Sequence, residues 1–111
     1  MSWEAICLVS ALPVNEIQEF ITSDSSSVII FRDTANQIKV YQGLCPHQRR
    51  SLADGYLSNS LLTCAAHMWQ FDLQNGQGVN GTDHDLADYP TKTDGDQLLI
   101  DTSSVEANSL W

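Results

Sequence analysis

Apolar residues in this chain come in runs of three or four, broken by polar turn signals. Val28-Ile29-Ile30-Phe31 and Ile38-Lys39-Val40-Tyr41 flank Asp33-Thr34-Ala35-Asn36, a pattern that predicts a hairpin. Leu61-Leu62-Thr63 reads as a short strand. Trp69-Gln70-Phe71-Asp72 reads as the next one, and it runs into Asn75-Gly76, a strong turn signal. Thr91-Lys92-Thr93 and Leu98-Leu99-Ile100 flank Asp94-Gly95-Asp96 and predict a closing hairpin. Residues 14–21 come nearest to an amphipathic helix and fit a strand equally well. No internal repeat is visible. The last ten residues are mostly polar and end in Leu110 and Trp111, so 102–111 reads as a loose tail that Trp111 could anchor. Many short strands with polar turns argue for an all-β domain.

Composition narrows the class. A chain of 111 residues has room for one core, so 1–111 is expected to be a single domain. No apolar run approaches the roughly 18–20 residues of a membrane span. The N-terminus lacks a basic start and a long apolar stretch, so no signal peptide is expected. Both readings point to the cytoplasm, where thiols stay reduced.

The charge is uneven. Fourteen acidic residues oppose five basic ones, for a net of −9. Residues 1–55 hold six acids and four bases, a net of −2, whereas 56–111 hold eight acids and one base, a net of −7. This disfavours nucleic acid and anionic membranes as partners and favours a basic protein surface.

Two short segments change the picture from fold to chemistry. Cys45-Pro46-His47 and Cys64-Ala65-Ala66-His67 each pair one cysteine with one histidine, and sixteen residues separate His47 from Cys64. They contain two of the three cysteines and two of the three histidines. A Rieske-type 2Fe–2S centre needs two cysteines on one iron and two histidines on the other. Each segment would give its Cys to one iron and its His to the other. The serious rival is a tetrahedral zinc site with two sulfurs and two nitrogens. Zinc sites usually pair like ligands locally, so the alternating order argues for two irons. A disulfide is the weaker rival, because three cysteines cannot all pair. Cys7 lies in an apolar stretch and reads as packing. His84, between Asp83 and Asp85, reads as a solvated loop residue.

The segments Cys45-Pro46-His47-Gln48 and Cys64-Ala65-Ala66-His67-Met68-Trp69 resemble the cluster loops of Rieske ferredoxins. The likeness runs through Trp3-Glu4-Ala5-Ile6-Cys7, Tyr41-Gln42 and Leu86-Ala87-Asp88-Tyr89-Pro90, and so covers nearly the whole chain. Gln48 and the bulky Met68, where ring-hydroxylating dioxygenase ferredoxins usually have glycine, make it most similar to the ferredoxin components of bacterial diiron monooxygenases of the toluene and alkene type. Arg49-Arg50 departs from that pattern.

The resemblance implies a Rieske fold of three small antiparallel sheets, with a cluster-binding subdomain at about 43–72. It implies one 2Fe–2S cluster on Cys45, His47, Cys64 and His67. It also implies a one-electron carrier, monomeric and without catalysis of its own. The carrier would take electrons from an NADH-dependent flavin reductase and give them to a diiron hydroxylase that oxidises a hydrocarbon. A dioxygenase-system ferredoxin is the alternative, and a zinc-stabilised interaction module lies further off. High-potential Rieske proteins carry a serine and a tyrosine after the second histidine and a disulfide between the loops. Trp69, Phe71, Arg50 and Ala66 stand at those positions, so the likeness implies a low potential.

Overall fold

A computed structural model describes residues 3–110. Among the described residues it contains ten strands, two single 3-10 turns and no α-helix. The strands are β1 (Glu4–Leu8), β2 (Ile17–Ile21), β3 (Ser27–Arg32), β4 (Ile38–Gln42), β5 (Tyr56–Ser58), β6 (Leu61–Thr63), β7 (Gln70–Asp72), β8 (Gln77–Val79), β9 (Thr91–Asp94) and β10 (Gln97–Ile100). They form three sheets with the orders β1-β10-β9, β2-β3-β4 and β5-β6-β7-β8. Every pairing is antiparallel. This is the all-β class that the strand and turn pattern predicts, with the three antiparallel sheets that the family resemblance implies.

The β3 strand explains how the sheets stack. Successive side chains of a strand point to opposite faces. Ile29 and Phe31 enter one core with Tyr41, Leu62 and Phe71, on the side of the β5–β8 sheet. Val28 and Ile30 enter a second core with Val40, Leu98 and Ile100, on the side of the β1-β10-β9 sheet. All four β3 residues are essentially inaccessible. A continuous apolar run is what a strand buried on both faces requires.

The β3–β4 hairpin sits where the polar turn predicts it, with Arg32 opposite Ile38. The Asp33 carboxylate accepts the N–H groups of Ala35 and Gln37 and closes the turn. The final hairpin turns at Gly95 and Asp96, with Asp94 already paired to Gln97. Within 14–21, the strand reading holds and the helix reading fails. Asn15 adopts a left-handed φ of 61° and donates its N–H to the Arg32 carbonyl, and Ile17–Ile21 then pairs with β3. Strands β1, β5 and β8 have weak apolar alternation, and neighbouring chain defines them more than their own sequence does.

The C-terminal segment lies along the body. Val105 packs against the second core. The Asn108 and Leu110 N–H groups reach Gln42 and Pro46. Trp111, the expected anchor, lies outside the described residues.

Candidate metal centre

Both cysteine–histidine segments are loops held at their bases by backbone bonds. The first leaves β4 and returns at the 3-10 turn Leu52–Asp54. Leu44 bridges Ser51, the Cys45 N–H donates to the Arg50 carbonyl at 2.9 Å, and the Leu52 N–H donates to Gly43 at 2.8 Å. The second connects β6 to β7. There the Cys64 N–H donates to the Trp69 carbonyl at 2.7 Å, and the Met68 N–H donates back to Cys64 at 3.0 Å. That tight closure puts Met68 at φ 62°, left-handed and 63% exposed.

The two loops bring all four predicted residues together in like pairs. Cys45 and Cys64 are each 1% exposed and face one another as thiols within the first core. The rings of His47 and His67 meet edge to face, with centroids 4.7 Å apart. His67 is exposed and His47 half-buried. Burial pushes the Cys45 thiol above its ordinary value, and the adjacent Cys64 adds to this. The backbone N–H groups of His47 and Gln48 oppose it by hydrogen bonding to the sulfur.

This donor set fits an iron–sulfur centre on two observations. Nδ1 of His47 is buried without a hydrogen-bond partner, which calls for a ligand or an ion. Two like pairs match a binuclear centre better than a tetrahedral zinc site.

Several neighbours take places that the sequence pattern does not show. Phe71 is fully buried in the first core, as its apolar position suggests. Trp69 is half-buried and stacks on the His47 ring, with centroids 4.5 Å apart and planes 19° apart. His84 is not a solvated loop histidine. It is half-buried and its ring stacks with that of Trp69, with centroids 5.8 Å and planes 22° apart, and its Nδ1 is buried without a partner. Its loop is fastened by an Asp85 carboxylate that accepts the Gly78 N–H and by a Thr82 hydroxyl that accepts the Gln70 N–H.

Cys7 packs partly buried against the second core, where burial and then Asp96 raise its thiol. Arg50 lies 3.6 Å from Asp54 in an exposed pair, which contributes little to stability.

The model of the Rieske [2Fe-2S] domain matches residues 2–90. The ferredoxin component of the alkene monooxygenase system of Xanthobacter autotrophicus is 34% identical over 98 residues, covering 87% of this chain and 79% of that one. The ferredoxin component of the naphthalene 1,2-dioxygenase system of Pseudomonas aeruginosa is 24% identical over 100 residues, covering 86% and 95%. Among solved structures, a Sphingomonas yanoikuyae B1 ferredoxin superposes with a TM-score of 0.79 at 20% identity, covering 90% of this chain and 98% of that one.

Proposed function

The chain belongs to the Rieske [2Fe-2S] domain family, and on that footing we propose that it is a one-electron carrier whose cluster is held by Cys45, His47, Cys64 and His67. The observation that carries the ligand assignment is the meeting of two buried thiols and two imidazoles, one with an unpartnered buried Nδ1, between two loops. When bound, the cluster supplies a site that gains and loses a single electron.

The residues around it divide the work. Cys45 and Cys64 exclude water from the sulfur side by their burial. His67 reaches the surface and offers the contact through which an electron enters or leaves. His47 is held by the Trp69 ring. Met68, exposed beside His67, supplies an apolar contact for a partner.

The terminal partner we propose is a diiron hydroxylase, with a flavin-containing reductase upstream. The 34% identity to an alkene monooxygenase ferredoxin supports this over the dioxygenase alternative, where the identity is 24%. The carrier works as a monomer in the reducing cytoplasm, which suits thiolate ligands. No helix among the described residues is long and apolar enough to cross a membrane.

Iron and sulfide analysis, with electron paramagnetic resonance after anaerobic reduction, tests the cluster. A rhombic signal of low average g supports mixed His/Cys ligation, and stoichiometric zinc in a colourless protein overturns it. Supplying the reduced protein to a diiron hydroxylase and to a Rieske dioxygenase tests the partner. Efficient coupling only with the dioxygenase moves the assignment there.

A further inference from the structure

The C-terminal segment touches the first ligand loop at one point. The Leu110 N–H donates to the Pro46 carbonyl at 2.8 Å. Pro46 lies between Cys45 and His47, so this carbonyl belongs to the peptide whose N–H is that of His47. The His47 N–H in turn donates to the Cys45 sulfur. The two bonds share one peptide group and form a continuous chain from the tail to a proposed ligand.

Gln42 pins the tail in place. Its side chain is 1% exposed and fully engaged. Nε2 donates to the Leu44 carbonyl at 2.7 Å and to the Asn108 carbonyl at 2.8 Å. Oε1 accepts the Ala87 N–H at 2.8 Å and the Asn108 N–H at 2.9 Å. One buried amide thus ties the tail, the 86–90 segment and the entry to the first loop together. The Asn108 side chain adds a bond to the Asp85 carbonyl at 2.8 Å. Residues 106–110 are exposed, so these polar bonds hold this stretch, not apolar burial.

We propose that the C-terminal segment is a working part of the cluster end: the Leu110 N–H, held in register by Gln42 and Asn108, polarises the Pro46–His47 peptide and strengthens its N–H bond to the Cys45 sulfur. A hydrogen bond to one end of a peptide makes the other end a stronger partner. N–H bonds to a cluster's sulfurs stabilise the reduced, more negative state and raise its potential. The tail therefore holds the potential above the value that the loop alone would set. Leu110 and Gln42 are positioning residues in this account.

The proposal rests on Cys45 being a cluster ligand. Iron and sulfide content tests that reading by itself. Leu110→Pro removes the donor, because proline has no N–H. Leu110→Ala keeps the N–H and loses only an exposed side chain.

With holoprotein, Leu110→Pro is expected to lower the midpoint potential and to speed hydrogen exchange at the His47 amide, while Leu110→Ala changes neither. Unchanged potential and exchange in Leu110→Pro, or equal shifts in both variants, overturns the proposal. A native-state measurement stands beside the variants. In the unaltered protein the Leu110 amide should exchange at least about tenfold slower than in an unstructured peptide. Exchange at the unstructured rate overturns the proposal irrespective of how the variants behave.

Discussion

Gly76→Ala is expected to destabilise the fold sharply, and its size can be worked out by comparison with Gly81→Ala. Both glycines have left-handed backbone, at φ 77° and 89°. An alanine in that region costs about 1–2 kcal/mol, partly offset by about 0.4–1 kcal/mol from a stiffer unfolded chain. At Gly81 nothing lies within 4 Å of the new methyl, so the cost ends there, at about 1 kcal/mol. At Gly76 the methyl would sit 2.7 Å from Cε1 of Tyr41 and 3.3 Å from the Leu86 carbonyl oxygen. Tyr41 cannot swing away. It is fully buried between the sheets, and its hydroxyl donates to the Leu73 carbonyl at 2.7 Å. Overpacking of that kind adds about 1–3 kcal/mol.

The expected totals are about 1 kcal/mol for Gly81→Ala and about 2–4 kcal/mol for Gly76→Ala. At about 5 °C per kcal/mol for a chain of this size, the melting midpoints separate by roughly 5–15 °C. Thermal melts of the two holoproteins at one heating rate, followed by circular dichroism and visible absorbance, measure this. Equal midpoints would refute the argument, because they would mean that the Tyr41 contact carries no cost.

Four further outcomes are expected. Cys64→Ala should abolish the visible colour and the reduced paramagnetic signal, since one thiolate of the buried pair is gone; retention of both refutes the ligand assignment. Without hydroxyl donors at Trp69 and Phe71, the midpoint potential should lie near about −150 mV, and protein-film voltammetry giving a positive value refutes this. Trp69→Ala should release iron to a chelator roughly fivefold faster, the equivalent of about 1 kcal/mol of lost aromatic stacking on His47, and an unchanged rate refutes a holding role. Burial, and then Asp88 and Asp72, hold the Tyr41 hydroxyl well above the ordinary tyrosine value near 10. The folded state thus keeps a proton that the unfolded chain loses. Stability from this source is complete below about pH 10 and falls as pH rises beyond it, and Tyr41→Phe should flatten that alkaline fall in denaturant titrations.

What was legible in the sequence follows how local each signal is. Val28-Ile29-Ile30-Phe31 declares a strand because two cores need its two faces, and the run is apolar at every position. Asn75-Gly76 declares a turn because the Gly76 backbone is left-handed there. The four proposed ligands stand out because the chemistry of the two loops is written in neighbouring residues. Strand β8 is not legible, since Gln77-Gly78-Val79 is extended only through pairing with β7. His84 was misleading for the opposite reason. Asp83 and Asp85 make it look solvated, yet the ring turns inward onto Trp69, fifteen positions earlier in the chain.

Gln42 shows the same limit on the side of function. A glutamine beside Tyr41 carries no mark of a hub, and its partners Ala87 and Asn108 are 45 and 66 positions away. Burying an amide is unfavourable unless its donors and acceptor are all met. Here they are met only when the tail, the 86–90 segment and the first loop arrive together. That makes Gln42 a check on assembly at the cluster end. With the tail displaced, Nε2 and Oε1 each lose one of two partners and keep the other, the Leu44 carbonyl and the Ala87 N–H, so the loss is that of ordinary hydrogen bonds, about 0.5–1.5 kcal/mol each. The ligand loop and the polar tail are therefore coupled through one buried side chain, although little in the composition of residues 102–111 suggests order.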